Sequence, residues 1–313
     1  MPYNIIHLLL YSCCLLPLSC GYGYAQQVAD EQFHYAISDP AYPVGNGSVL
    51  LFDESHHNGS TLRGTYAAFG KLLRDDGYQI SSSDGPIDSN RLKQIDIYIT
   101  VNAMYDPEDW NLPARSAFSQ AEIRALTHWI SQGGSLFLVT DHMPCGAAVQ
   151  ELAAAFDINV INGFALRKDG LAELFSRRKK TLLPNEITDW PGARIDSIHC
   201  WGGTGFIVPA AAQVISRLDD SYSIFLPTDV SQIKRPVPAT VPSLSGRGIV
   251  NGAYLRFGRG RIVIFGDGAP FSAQLQGIKS KKRGMNHPSA SQNAQFLRNI
   301  IHWLDPNRPA DRY

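Results

Sequence analysis

Short apolar runs alternate with segments whose apolar residues recur every three or four positions. Ser48 to Phe52 is a compact apolar run closing on Asp53, which by length and residue type predicts a buried strand. Leu62, Tyr66, Phe69, Leu72 and Leu73 then keep helical spacing and predict a helix over 62–76, stopped by Gly77. Tyr78 to Ile80 reads as a short strand, and Ile95 to Val101 as a longer one ending at Asn102. Ser119 with Glu122 three positions on is a capping box, opening a helix that runs to Gln132 and stops at Gly133-Gly134. Ser135 to Thr140 is the next strand and runs into Asp141-His142. A helix over Ala147 to Phe156 and an apolar run over Ile158 to Ile161 follow.

The pattern changes between residues 163 and 248, where prolines are scattered and apolar runs are short. This stretch reads as a loop-rich insertion with strands near Phe206 to Pro209, Val214 to Leu218 and Ser223 to Leu226. Its basic run, Arg177 to Lys180, is a solvated face. Regularity returns with Ile249 to Phe257 and Arg261 to Phe265, a hairpin around Gly258-Arg259-Gly260 whose second arm leads to Asp267. A last amphipathic helix spans Ala290 to Leu304. Strand–helix–strand repetition calls for an α/β domain with a mostly parallel sheet covered on both faces.

Composition narrows the function. Among 313 residues, 28 basic and 28 acidic side chains give zero formal charge, which removes the electrostatic footprint of a dedicated nucleic-acid binder. The apolar share of 44% and charged share of 18% are those of a globular chain. Ile5 to Leu18 is apolar, and Gly23-Tyr24-Ala25 places small residues at both recognition positions of a signal peptidase. Residues 1–25 therefore read as a secretory signal cleaved before Gln26, and residues 26–313 as a single domain of an exported, periplasmic or extracellular protein. An alternative reading acylates Cys20 as a lipoprotein anchor. After cleavage only Cys145 and Cys200 remain, bonded to each other or buried as thiols.

The chemistry gathers at strand ends. In open parallel sheets, ligands bind outside the carboxyl ends of the strands. Here those ends carry Asp53, Glu54, His56 and His57, then Asn102, then Asp141 and His142, and finally Asp267 if the hairpin's return arm runs parallel to the rest. Carboxylates, imidazoles and an amide on one edge suit a hydrolytic or metal-assisted site. Asp141 or Glu54 is the candidate general base, and His57 or His142 the acid or metal ligand. These donor types admit a divalent metal, but no His-Glu-x-x-His is present and nothing in the sequence requires a cofactor. Cys145 precedes a predicted helix but lacks a glycine-flanked elbow, so a buried structural role is the simpler reading.

Three segments carry a family resemblance. They are Leu51 to Asn58, Gly133 to Pro144, and Gly266 to Gln274, with a tail formed by Gly284 to Pro288 and Asn293 to Leu297. Over residues 45–305 the chain resembles a group of exported bacterial proteins in the class I glutamine-amidotransferase-like superfamily. The resemblance implies a flavodoxin-like, three-layer sandwich and places Asn286 of the tail with Asp53, His56, Asn102 and Asp267 as substrate-binding candidates. Glutaminase activity is not implied: Asp141-His142 occupies the elbow where a true amidotransferase has its Cys, and His287-Pro288-Ser289 lacks the acid of His-Pro-Glu. The function expected is hydrolysis of a carbohydrate-type or ester substrate, with a non-catalytic sugar- or protein-binding module as the alternative.

Overall fold

A computed structural model describes residues 27–308 except 84 and 235. The expected export signal, with Cys13, Cys14 and Cys20, lies outside the described residues. Nine strands form the main sheet: β1 (Val49–Asp53), β2 (Gln79–Ser83), β3 (Ile97–Val101), β4 (Ser135–Val139), β5 (Asn159–Val160), β6 (Phe206–Ile207), β7 (Gln213–Arg217), β8 (Val250–Phe257) and β9 (Gly260–Phe265). Their spatial order is β2-β1-β3-β4-β9-β8-β6-β5, with β7 also paired to β8. Strands β2, β1, β3, β4 and β9 run parallel, so their carboxyl ends share one edge. The condition placed on the hairpin's return arm is met: β9 pairs with β4 in parallel, Phe265 opposite Val139.

Alternation along these strands builds two cores. Phe52, Ile99, Val101, Phe137, Val139, Val263 and Phe265 face one side, packed with Phe69, Leu72 and Leu73 of α1 (Ala67–Asp75) and with Leu297, Ile300 and Ile301 of α6 (Asn293–Leu304). Leu51, Tyr98, Leu136, Leu138, Ile262 and Ile264 face the other. There they meet Leu92 of α2 (Ser89–Leu92), Ile123, Leu126 and Ile130 of α3 (Gln120–Ser131), and Leu152 and Ala153 of α5 (Gln150–Ala154), which follows α4 (Cys145–Ala148). The result is a mixed α/β protein with one large sheet and few helices.

The capping box at α3 is fully made: the Glu122 amide donates to Ser119 Oγ, and the Ser119 amide donates to Glu122 Oε2 at 2.9 Å. Ser119→Ala should lower stability by about 1 kcal/mol in a urea titration. A loss within error would assign the cap's strength to Glu122 alone.

Several boundaries differ from expectation. The helix expected over 62–76 begins at Ala67, because a turn closed by Gly64 and Tyr66 amides on the Thr61 carbonyl precedes it. That expected over 147–156 is two short helices, broken at Val149 (φ −108°). Segment 163–248 is more ordered than a loop-rich insertion: β6 and β7 belong to the main sheet, Phe164–Arg167 pairs with Tyr222–Phe225 beside Ser243–Ser245, and Glu173–Ser176 pairs with Ser197–Cys200. Lys281–Gly284 is an edge strand against Ala273–Gln276, whose other side receives Gln27–Ala29. Exposed Lys281 and Lys282 there suit an edge guarded against further pairing.

Candidate functional site at the carboxyl edge

The first strand-end group closes on itself. Asp53 is fully buried, and both its oxygens meet Nδ1 of His56, at 3.0 and 2.9 Å. His56 Nε2 meets Glu122 Oε1 at 3.1 Å, and Thr100 donates to Asp53 at 2.8 Å. Burial alone would push the Asp53 carboxyl up, but His56 and Thr100 outweigh it and hold the group below its ordinary value. Burial likewise opposes protonation of His56, yet Asp53 and Glu122 raise its pKa. The expectation that Asp53 and His56 touch a ligand is therefore corrected: they form an internal lock, with His56 packed on Phe118 at 4.1 Å. The lock positions the edge. The His56 carbonyl accepts from the Met104 amide at 2.8 Å, and the Asn58 side chain donates to the Val101 carbonyl at 2.8 Å.

Between those two bonds sits Asn102, in the left-handed region at φ 51°, a conformation Asn tolerates better than most residues. Its side-chain amide reaches Asp141 Oδ2 at 3.4 Å. The same oxygen accepts from the Gly268 amide at 3.3 Å, and Oδ1 accepts from the His142 amide at 2.8 Å. Three N–H donors from three strand ends thus converge on one carboxylate, whose side chain keeps 14% exposure. Next to it, Asp267 is wholly buried and accepts from the Trp201 and Ala269 amides. Burial, then the neighbouring Asp141, push the Asp267 carboxyl well above its ordinary value. Tyr66 closes the floor by donating to the Gly268 carbonyl.

His142 completes this group. Its Nδ1 lies 2.7 Å from the Met143 carbonyl, which can only accept, so Nδ1 carries the proton. Nε2 lies 3.9 Å from Asp141 Oδ1. The ring stacks on Phe164 at 4.5 Å and has Trp110 at 6.1 Å. A neutral imidazole of fixed tautomer and orientation beside a carboxylate can accept a proton from a water or hydroxyl. A cavity of about 270 Å³ adjoins it, lined among others by Met104, Tyr105, Asp109, Arg115, Pro144 and Ala148.

The other expected residues fall elsewhere. His57 is exposed at φ 48°. Glu54 is half-buried and accepts from the Leu62 amide at 2.7 Å, bracing the turn before α1. Asn286 is buried and donates to Asp30 and to the Gln274 carbonyl, both at 2.9 Å, tying in the start of the described chain. Cys145 and Cys200 are buried free thiols, and burial pushes both thiols up, which disfavours the thiolate a nucleophile needs. Among the described residues, no group of three or more His, Cys, Asp or Glu is arranged to hold a metal ion.

Sequence reasoning missed a second group on the same edge. The Trp201 amide donates to Asp267, and the Trp201 carbonyl accepts from Arg283 Nη2 at 3.1 Å. The indole stacks on His199 at 4.3 Å and 15°, with His287 edge-on at 5.5 Å. Burial, with help from His287, lowers the His199 pKa to about 4. Gly203 makes this approach feasible: at φ 98° its absent Cβ would sit 2.0 Å from the Gly266 carbonyl oxygen. The glycines of Gly202-Gly203-Thr204-Gly205 seat Trp201 beside Asp267.

No family model and no curated protein matches the chain. Solved structures do. The mmIFT52 N-terminal domain is 16% identical, with 82% of this chain and 96% of that chain covered and a TM-score of 0.57. A putative ThuA-like protein from Bacteroides uniformis is 11% identical, with 88% and 98% covered and a TM-score of 0.43. A β-galactosidase from Bacillus circulans sp. alkalophilus is 13% identical, with 82% of this chain and 30% of that chain covered and a TM-score of 0.42. At these identities the likeness is one of fold alone. No helix among the described residues is long and apolar enough to cross a membrane.

Proposed function

We propose that the protein is an exported hydrolase acting on a carbohydrate-type substrate at the carboxyl edge of its sheet. In this reading residues 26–313 form one flavodoxin-like, three-layer domain of the class I glutamine-amidotransferase-like superfamily that has exchanged the cysteine nucleophile for Asp141-His142. The observation that carries it is the His142 ring: Nδ1 is tied to the Met143 carbonyl and Nε2 stands 3.9 Å from Asp141. Nε2 is the general base toward water. The Met143 carbonyl orients the imidazole, and Asp141, held by Asn102 and the Gly268 amide, stabilises the imidazolium that forms. Burial and the neighbouring Asp141 favour the neutral form of Asp267, which limits the negative charge beneath Asp141.

The test is turnover of chromogenic glycosides and acetyl esters by the purified chain. His142→Asn and Asp141→Asn are each expected to lower kcat by about 100- to 10,000-fold while circular dichroism stays unchanged. Binding without turnover of any substrate in the panel would remove the hydrolase reading and leave the non-catalytic binding module.

A further inference from the structure

We infer that Trp201 is the platform of a sugar subsite, receiving the apolar face of a neutral pyranose ring beside Asp141 and Asp267; the inference rests on the hydrolase reading for its substrate and extends it to a recognition residue. Four observations carry it. First, the indole is half-buried and rigid. His199 backs it in a parallel stack, and Asn293 clamps His199 through both its amide (3.0 Å) and its carbonyl (2.8 Å). Asp267 and Arg283 fix the Trp201 backbone itself. A stiff, partly exposed aromatic face loses little entropy when a ligand covers it.

Second, the groups around this face are both donors and acceptors. Glu173, which accepts from the Gly202 amide at 3.0 Å, Arg283 and His287 are all half-buried there. Hydroxyl groups, which donate and accept, match such a mixture. Third, buried polar atoms nearby lack protein partners: His199 Nδ1, Arg283 Nε and Gln274 Oε1, the last on the strand residue directly opposite Arg283. Unsatisfied buried polar atoms are uncommon in folded proteins, and here two of the three belong to residues that contact Trp201, His199 and Arg283. Fourth, the charges argue against an anionic ring. Around Asp267 the Asp141 and Glu173 carboxylates stand against the Arg283 guanidinium.

Calorimetric titration with cellotetraose, mannotetraose and xylotetraose, and with polygalacturonate as the acidic control, tests the assignment. At least one neutral oligosaccharide is expected to bind, with affinity falling about tenfold or more in Trp201→Ala and less in Trp201→Phe, which keeps an aromatic face. His142→Asn should retain that binding while losing turnover, so the platform and the catalytic reading fail separately. Should Trp201→Ala not fold, Trp201→Phe and His287→Ala carry the comparison. Unchanged affinity in the Trp201 variants, binding of polygalacturonate alone, or no binding of any of these glycans would overturn the proposal.

Discussion

Replacing His56 with alanine is expected to destabilise the protein by about 3–5 kcal/mol, because it strips the imidazole partner at 2.9 Å from a fully buried carboxylate. Asp53 would keep the Thr100 hydroxyl but lose two contacts near 3 Å, and Glu122 would lose one. A urea titration of the purified variant measures this; a shift below about 1 kcal/mol would mean that the site relaxes or admits water. The lock also gives a pH signature. His56 is raised above its ordinary 6.5, so its contribution is complete below that value and is lost as pH rises through the higher folded-state value. Asp53 and Glu122 are lowered from 3.8 and 4.5, so theirs is present above those values and is lost as pH falls through the folded-state values. The stability difference between wild type and His56→Ala should therefore be widest between about pH 5 and 6.5 and narrow on both sides.

A comparable loss, again about 3–5 kcal/mol, is expected for Asp76→Ala. Asp76 is fully buried at the end of α1 and binds Arg298 Nη2 and His302 Nε2, both at 2.7 Å. Burial favours the neutral acid, but His302 and Arg298 overcome it and keep the carboxyl below its ordinary value. His302, whose own pKa burial lowers, meets Asp76 through Nε2. Removing the carboxylate strands the Arg298 guanidinium in the interior and frees the Ala41 amide. Asp76→Asn keeps the shape and should cost less. Equal losses for the two variants would show that charge is irrelevant there. Denaturant titrations at pH 7 decide between the outcomes.

Local signals placed the central strands, the α3 cap and the strand-end acids, because each is written within a few residues. Asn102, Asp141 and Asp267 converge as the parallel pattern required. What stayed illegible depends on contacts between distant segments. Nothing in Asp53-Glu54-Ser55-His56 says that Glu122, 66 positions after His56, will cover the imidazole and turn a candidate ligand group into a lock. Trp201 follows a four-residue strand too short to show alternation, and its place is set by Gly203 lying against Gly266. Asn286 sat in a segment carrying the family resemblance, yet its amide serves Asp30 and the Gln274 carbonyl.

The order of strands has a further consequence for assembly. β4, at residues 135–139, is flanked by β9, which arrives only at residues 260–265. Until that late segment is available, the middle of the sheet has an open side, and Asp141 lacks the Gly268 amide. Such distant pairing makes closure slow and leaves unpaired backbone exposed meanwhile. A chain cut before residue 260 should accordingly aggregate instead of forming a smaller working domain.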